Sequence, residues 1–161
     1  GVMTGFQTFL NGQGGIVFAL LGMAVAAIFS GAGSARGVGM TGEAAAALTT
    51  EQPETFGRAL ILPLLPGTQA LYGFVIAFMI FININMDITI MQGFNLLMAA
   101  CPVGFVGYFS AIRQARVATA GLQILAKRPE HSTKGIIYSA MVETYAILAF
   151  VISFLMVLNF S

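Results

Sequence analysis

The chain has 161 residues, 58% of them hydrophobic and only 8% charged, against roughly 25% charged in ordinary soluble domains. Seven Lys+Arg and six Asp+Glu give a net charge of +1, too few charges to clothe a soluble fold and too balanced to attract nucleic acid. A mean hydropathy of +0.90 places the chain in the membrane class and excludes a soluble enzyme.

No charge occurs from Gly1 to Ala35, and a membrane helix needs about 20 mostly apolar residues. A first span is predicted over 12–46. It lacks the basic n-region of a secretory signal, so it reads as a retained helix. Gly22, Ala26, Ser30 and Ser34 recur every four residues, and so do Ala27, Gly31, Ala35 and Gly39. Such stripes let helix backbones approach closely in lipid, and two of them on one helix predict crowded neighbours on more than one side, as in a ring. The run Gly37-Val38-Gly39-Met40-Thr41-Gly42 matches the dinucleotide fingerprint in letters only, because that motif works between a strand and a helix.

Three further spans follow, at 56–84, 91–127 and 131–160. The first and third spans look long enough to project beyond the bilayer at their charged ends. Arg36 and Arg58 flank the first turn, and Arg113, Arg116, Lys127, Arg128 and Lys134 surround the second. The positive-inside rule then puts both turns in the cytoplasm and both termini outside, with the connector Asn83–Thr89. The expected fold is an all-α, multi-pass cell-membrane protein: four transmembrane helices in two hairpins, residues 1–84 and 85–161.

The hairpins repeat each other. Phe29-Ser30 and Ala35-Arg36 recur eighty positions on as Phe109-Ser110 and Ala115-Arg116. Gln52-Pro53-Glu54 recurs seventy-six positions on as Arg128-Pro129-Glu130, and Phe74-Val75-Ile76 as Phe150-Val151-Ile152. This is a tandem duplication, parallel rather than inverted as in many transporters. At the second offset Glu143 falls on Gly67, so one half alone carries a mid-membrane carboxyl.

Glu143 lies roughly 13 Å beyond Lys134 along a helix. A charge there costs about 2.5–3.5 kcal/mol on insertion scales and is functional by default; the bland alternative is a protonated acid bonding a neighbouring helix. Leu65, Thr68, Gln69 and Tyr72 share one face of the second span, and Gln69 lies about 16 Å beyond Arg58. Pro63 and Pro66 loosen the backbone there by removing amide donors. Ser110 and Gln114 stand one turn apart on the third span. One carboxylate, a hydroxyl, two amide carbonyls and a freed backbone form an all-oxygen set, which suits a hard cation. A single negative charge suits a monovalent one. A site for protons alone gains little from two glutamines, so Na+ is favoured over H+ alone.

The segments Phe29–Leu48, Leu64–Phe74, Ile124–Gly135 and Ala140–Leu148 together resemble the membrane rotor proteolipid (c or K) of V-type and A-type ATPases, nearest to subunit K of sodium-pumping bacterial enzymes. The resemblance covers essentially the whole chain. It implies a homo-oligomeric ring with the first and third spans inside. It also implies Na+ held by Glu143, the Leu65 carbonyl, Thr68, Gln69 and Gln114, with Tyr72 bonded to the carboxylate. A stator subunit would supply an arginine, and central-stalk subunits would meet the cytoplasmic turns. Pro63 departs from the family, where glutamine is more usual.

Cys101 reads as an apolar filler, His131 as interfacial, and Glu43, Glu51 and Glu54 as solvated or stalk-facing. No nucleophile, metal cluster or phosphate loop stands out, so the chain is not expected to be an enzyme by itself. The leading function is a rotor subunit carrying Na+ on one glutamate. A proton-carrying rotor of the same family and a small cation-coupled carrier remain as alternatives.

Overall fold

The computed structural model describes residues 1–161, and every long element in it is helical. Four helices are long and apolar enough to cross a membrane: α1 Val2–Glu51, α2 Pro53–Asn83, α3 Ile90–Lys127 and α4 Pro129–Phe160. The first outruns its predicted span of 12–46 at both ends. Its glycines at 12, 14 and 15 suggest a helix start, since glycine weakens a helix interior. Instead the chain widens into a π turn at Leu10–Gly14 and continues. Gly15 is placed where the α2–α3 connector crosses, its α-carbon facing the Thr89 carbonyl with no room for a side chain.

The two basic turns have the same construction. Gln52 and Arg128 are the single residues outside the helices, at φ −133°, ψ 74° and φ −139°, ψ 68°. Each is followed by a proline that opens a 3-10 turn, Pro53–Thr55 and Pro129–His131. A proline suits that position because its missing amide has no partner to lose. This starts α2 three residues and α4 two residues before the predicted 56 and 131. The opposite connector closes with a capping box between Thr89 and Gln92 at the start of α3.

α1 packs along α3, α2 rests on α1 and α4 on α3, and α2 meets α4. The core is built from small residues, Ala19, Ala26, Ala99, Ala100, Ala111 and Ala115, with Ile76, Ile80 and Leu96 between them. A methyl group on Gly73 would fall on Ala26 and Ser30 of α1, and one on Gly135 would lie 2.8 Å from the Gly121 α-carbon. Without a hydrophobic force between helices in lipid, such close backbone contact is the main source of packing energy.

The two α1 stripes part company. Gly22, Ala26, Ser30 and Ser34 are buried inside the bundle, whereas Ala27, Ala35 and Gly39 are exposed and Gly31 half-buried. On the outer faces, Leu71, Phe74 and Phe81 of α2 and Leu148 and Leu158 of α4 are exposed, as lipid contact requires. The dinucleotide-like run at Gly37 lies inside α1 with no strand before it.

One expectation about charge is corrected. Arg36, Arg113 and Arg116 do not border the turns. Arg36 sits about 22 Å before the Glu51 end of α1, its Nη1 3.5 Å from the Tyr108 hydroxyl of α3. Arg113 and Arg116 flank Gln114 on exposed positions. Only Arg58, Lys127, Arg128 and Lys134 border the turns.

Candidate functional site

α2 brings four of the expected residues together by breaking its own regularity. The α-helical ladder ends at Leu64, passes through a 3-10 turn at Leu65–Gly67 and resumes at Thr68. Pro66 offers no amide to the Leu62 carbonyl, which takes the Leu65 amide instead. The restart points Thr68 and Tyr72 at α4 and Gln69 at α3.

Glu143 receives them. Its Oε1 accepts from the Tyr72 hydroxyl at 3.2 Å and is in close contact with Thr68 Oγ1. The same threonine oxygen lies 3.1 Å from the Leu65 carbonyl and 3.3 Å from Gln69 Oε1. A hydroxyl carries one proton, so it cannot donate to three oxygens together. At this point oxygens outnumber the protons available to them.

The amides form a second layer. Gln69 Nε2 donates to Gln114 Oε1 at 2.7 Å and to Ser110 Oγ at 3.2 Å, and Ser110 donates to the Val142 carbonyl at 3.2 Å. Gln69 and Gln114 are fully buried. Gln114 Nε2 is the one buried side-chain polar atom with no partner, in a setting where such atoms are nearly always satisfied.

All six residues singled out in the sequence therefore converge, Leu65, Thr68, Gln69, Tyr72, Gln114 and Glu143. Gln114 makes no direct bond to the carboxylate; the path runs through Gln69 and Thr68. Two contributors were not anticipated. Ser139, one turn before Glu143, donates to the Gln114 backbone carbonyl at 3.2 Å. Ser34 of α1, read from sequence as a packing residue, accepts the Ala70 amide at 2.9 Å. Spacing from Glu143 signals the first; no spacing on its own helix signals the second.

A family model for the C subunit of ATP synthase matches the chain twice, over residues 21–80 and 97–156. The chain belongs to this family. The two matches are seventy-six positions apart, the offset that sets Glu143 against Gly67, so the duplication is the family unit repeated. The chain is 72% identical to the V-type sodium ATPase subunit K of Enterococcus hirae, over 91% of this chain and 94% of that one. It is 32% identical to the A-type ATP synthase subunit K of Methanocaldococcus jannaschii, over 89% of this chain and 63% of that one. It is also 32% identical to the 16 kDa proteolipid of the human V-type proton ATPase, over 70% and 72% of the two. Proteins of this family are the ring-forming rotor proteolipids of ion-translocating ATPases. The chain is such a subunit, multi-pass in the membrane and without catalytic chemistry of its own.

Proposed function

We propose that this rotor subunit carries one Na+ per copy at Glu143, with Thr68, Gln69, Gln114 and the Leu65 carbonyl as ligands and Tyr72 holding the carboxylate. The observation that carries the reading is the surplus of oxygens over protons around Thr68 Oγ1. A hard cation uses such a surplus, because every ligand it takes is an oxygen lone pair. The 72% identity to a subunit K of a sodium ATPase points the same way.

The cargo's role follows from electrostatics. Bare Glu143 is expensive to expose to lipid, whereas the ion-occupied carboxylate has its charge balanced and passes. A stator subunit offering an arginine would displace the ion, and stalk subunits at the turns around Gln52 and Arg128 would turn the ring. Moving one charge against 100 mV costs about 2.3 kcal/mol. The turns are assigned to the cytoplasm and the termini to the outside on Arg58, Lys127, Arg128 and Lys134. The working units are the hairpins 1–84 and 85–161, of which the second supplies the carboxylate.

Labelling of the purified ring with a carboxyl-reactive carbodiimide tests the ion. The reagent attacks protonated Glu143, so Na+ is expected to protect, more strongly at neutral than at acid pH, with K+ protecting far less. Labelling indifferent to Na+ at neutral pH makes the ring a proton carrier. The human relative, a proton ATPase subunit, keeps that second reading in the family.

A further inference from the structure

We infer that Ser34 is a positioning residue for the ion site, holding α2 in its broken shape from the neighbouring helix without touching the ion. The inference rests on the sodium reading above. A 3-10 turn inside a helix interrupts the regular amide-to-carbonyl ladder. At the restart after Leu65–Gly67, the Thr68 amide takes the Leu65 carbonyl. The Ala70 amide takes Ser34 Oγ of α1 at 2.9 Å. Ser34, only 5% exposed, thus does for α2 what an N-cap side chain does for its own helix. Because Ala70 directly follows Thr68 and Gln69, this bond fixes the turn that presents both of them to Glu143.

The duplication supports the assignment. At the offset of eighty that pairs Ala35-Arg36 with Ala115-Arg116, Ser34 pairs with Gln114. α4 runs unbroken from Ser132 to Phe160 and so has no restart to cap, and Gln114 instead uses its side chain on Gln69. The same position thus braces α2 from both halves of the protein, Ser34 through the backbone and Gln114 through a side chain. An equivalent bond lies far from the site. Pro102 opens α3 into a π turn, and the Val103 amide donates to Ser153 Oγ of α4 at 3.0 Å. Ser153 is about 15 Å along α4 from Glu143, which makes it a control of matched chemistry.

The test measures, on assembled rings, the Na+ concentration that half-protects Glu143 from carbodiimide, together with the pH profile of labelling without Na+. Ser34→Ala is expected to raise the half-protecting concentration by about tenfold or more, as loss of a ligand-orienting partner does, and to leave the Na+-free pH profile unchanged. Ser34→Thr, which keeps the accepting oxygen, is expected to restore protection, and Ser153→Ala to leave it as in the native ring. Native protection in Ser34→Ala overturns the inference. So does an equal loss in Ser153→Ala, which would make the effect one of general packing. Failure of both Ser34→Ala and Ser34→Cys to form rings assigns Ser34 to bundle assembly and overturns it too. Indifference of the native ring to Na+ instead removes the sodium reading itself, and is seen before any variant is made.

Discussion

The two hairpins began as the same unit and now do different work. Both keep the Pro-led 3-10 turn, a first helix rich in buried small residues and a second helix with an exposed apolar face, and their turn dihedrals agree within a few degrees. The first has Gly67 where the second has Glu143, and α2 is broken at Leu65–Gly67 while α4 is continuous α-helix from Ser132. In the proposed site the hairpin without a mid-membrane carboxyl contributes Leu65, Thr68 and Gln69, and the other contributes Gln114 and, from an unbroken α4, Glu143. A site built this way needs one charge in four helices. Prolines can shape α2 there without breaking α4, the helix that holds the expensive carboxyl.

The largest expected effect comes from erasing the difference at Glu143. Glu143→Gln is expected to abolish ion transport while rings still form, because packing rests on close glycine and alanine contacts elsewhere. Transport in that variant would end the claim that the second hairpin carries the ion. Loss of assembly would make the carboxyl a packing group.

The stripes of α1 sharpen the contrast between contacts inside one copy and contacts between copies. A side chain at Gly31 meets nothing within 4 Å in the protomer, whereas one at Gly73 meets Ala26 and Ser30. Gly31→Leu is expected to leave the helical content of the protomer intact and reduce the yield of closed rings. Gly73→Leu is expected to destabilise the protomer itself, by the few kcal/mol typical of overpacking. Circular dichroism and the mass of the detergent-solubilised assembly separate the two, and full ring yield from Gly31→Leu would show that the exposed stripe is not an interface.

Next in size is removal of the ligand face alone. Gln69→Ala with Gln114→Ala is expected to eliminate Na+ protection of Glu143 while carbodiimide still labels it at low pH. The opposite change, Gly67→Glu, places a carboxyl in the first hairpin, where a side chain has room, its nearest neighbour being Val38 Cγ2 at 3.6 Å. Rings are expected to assemble. The introduced carboxyl is expected to label without Na+ protection, since Ser34 stands where the second hairpin has Gln114. Protection at both carboxyls would show that the hairpins remain equivalent. The smallest effect is expected from Pro63→Ala, two residues before the break on a half-buried position whose side chain bonds none of the site residues: a change of about twofold or less in half-protecting Na+.

Much of this architecture is legible in the amino-acid sequence. Long charge-free runs force helices in lipid, because only helices and closed barrels satisfy their own backbones there, and the duplicated Phe-Ser, Ala-Arg and Pro-Glu pairs reveal two hairpins. Thr68, Gln69 and Tyr72 declare themselves by sharing a helix face, and Glu143 by its cost. Such signals are local, carried by spacing along one helix. The extent of α1 is less legible, since glycines that end a helix in isolation are tolerated where a π turn and a neighbouring backbone accommodate them.

What the sequence determined by itself is therefore the number of spans, the repeat and the identity of the polar residues in the membrane. Only the tertiary structure decided which residues act across helices: that Gln114 bonds Gln69 rather than the carboxylate, that Ser139 braces Gln114, and that Ser34 accepts from α2 from outside it. It also decided that one stripe of α1 is closed within the protomer while the other stays open, and that Arg36, Arg113 and Arg116 lie away from the turns. The physical reason is the same in each case. Helical period and hydrophobicity are properties of one segment. A hydrogen bond between segments depends on how deep each sits and how it is rotated, and those are set by close backbone approaches such as those at Gly33, Gly73, Gly93 and Gly135, which no single segment records.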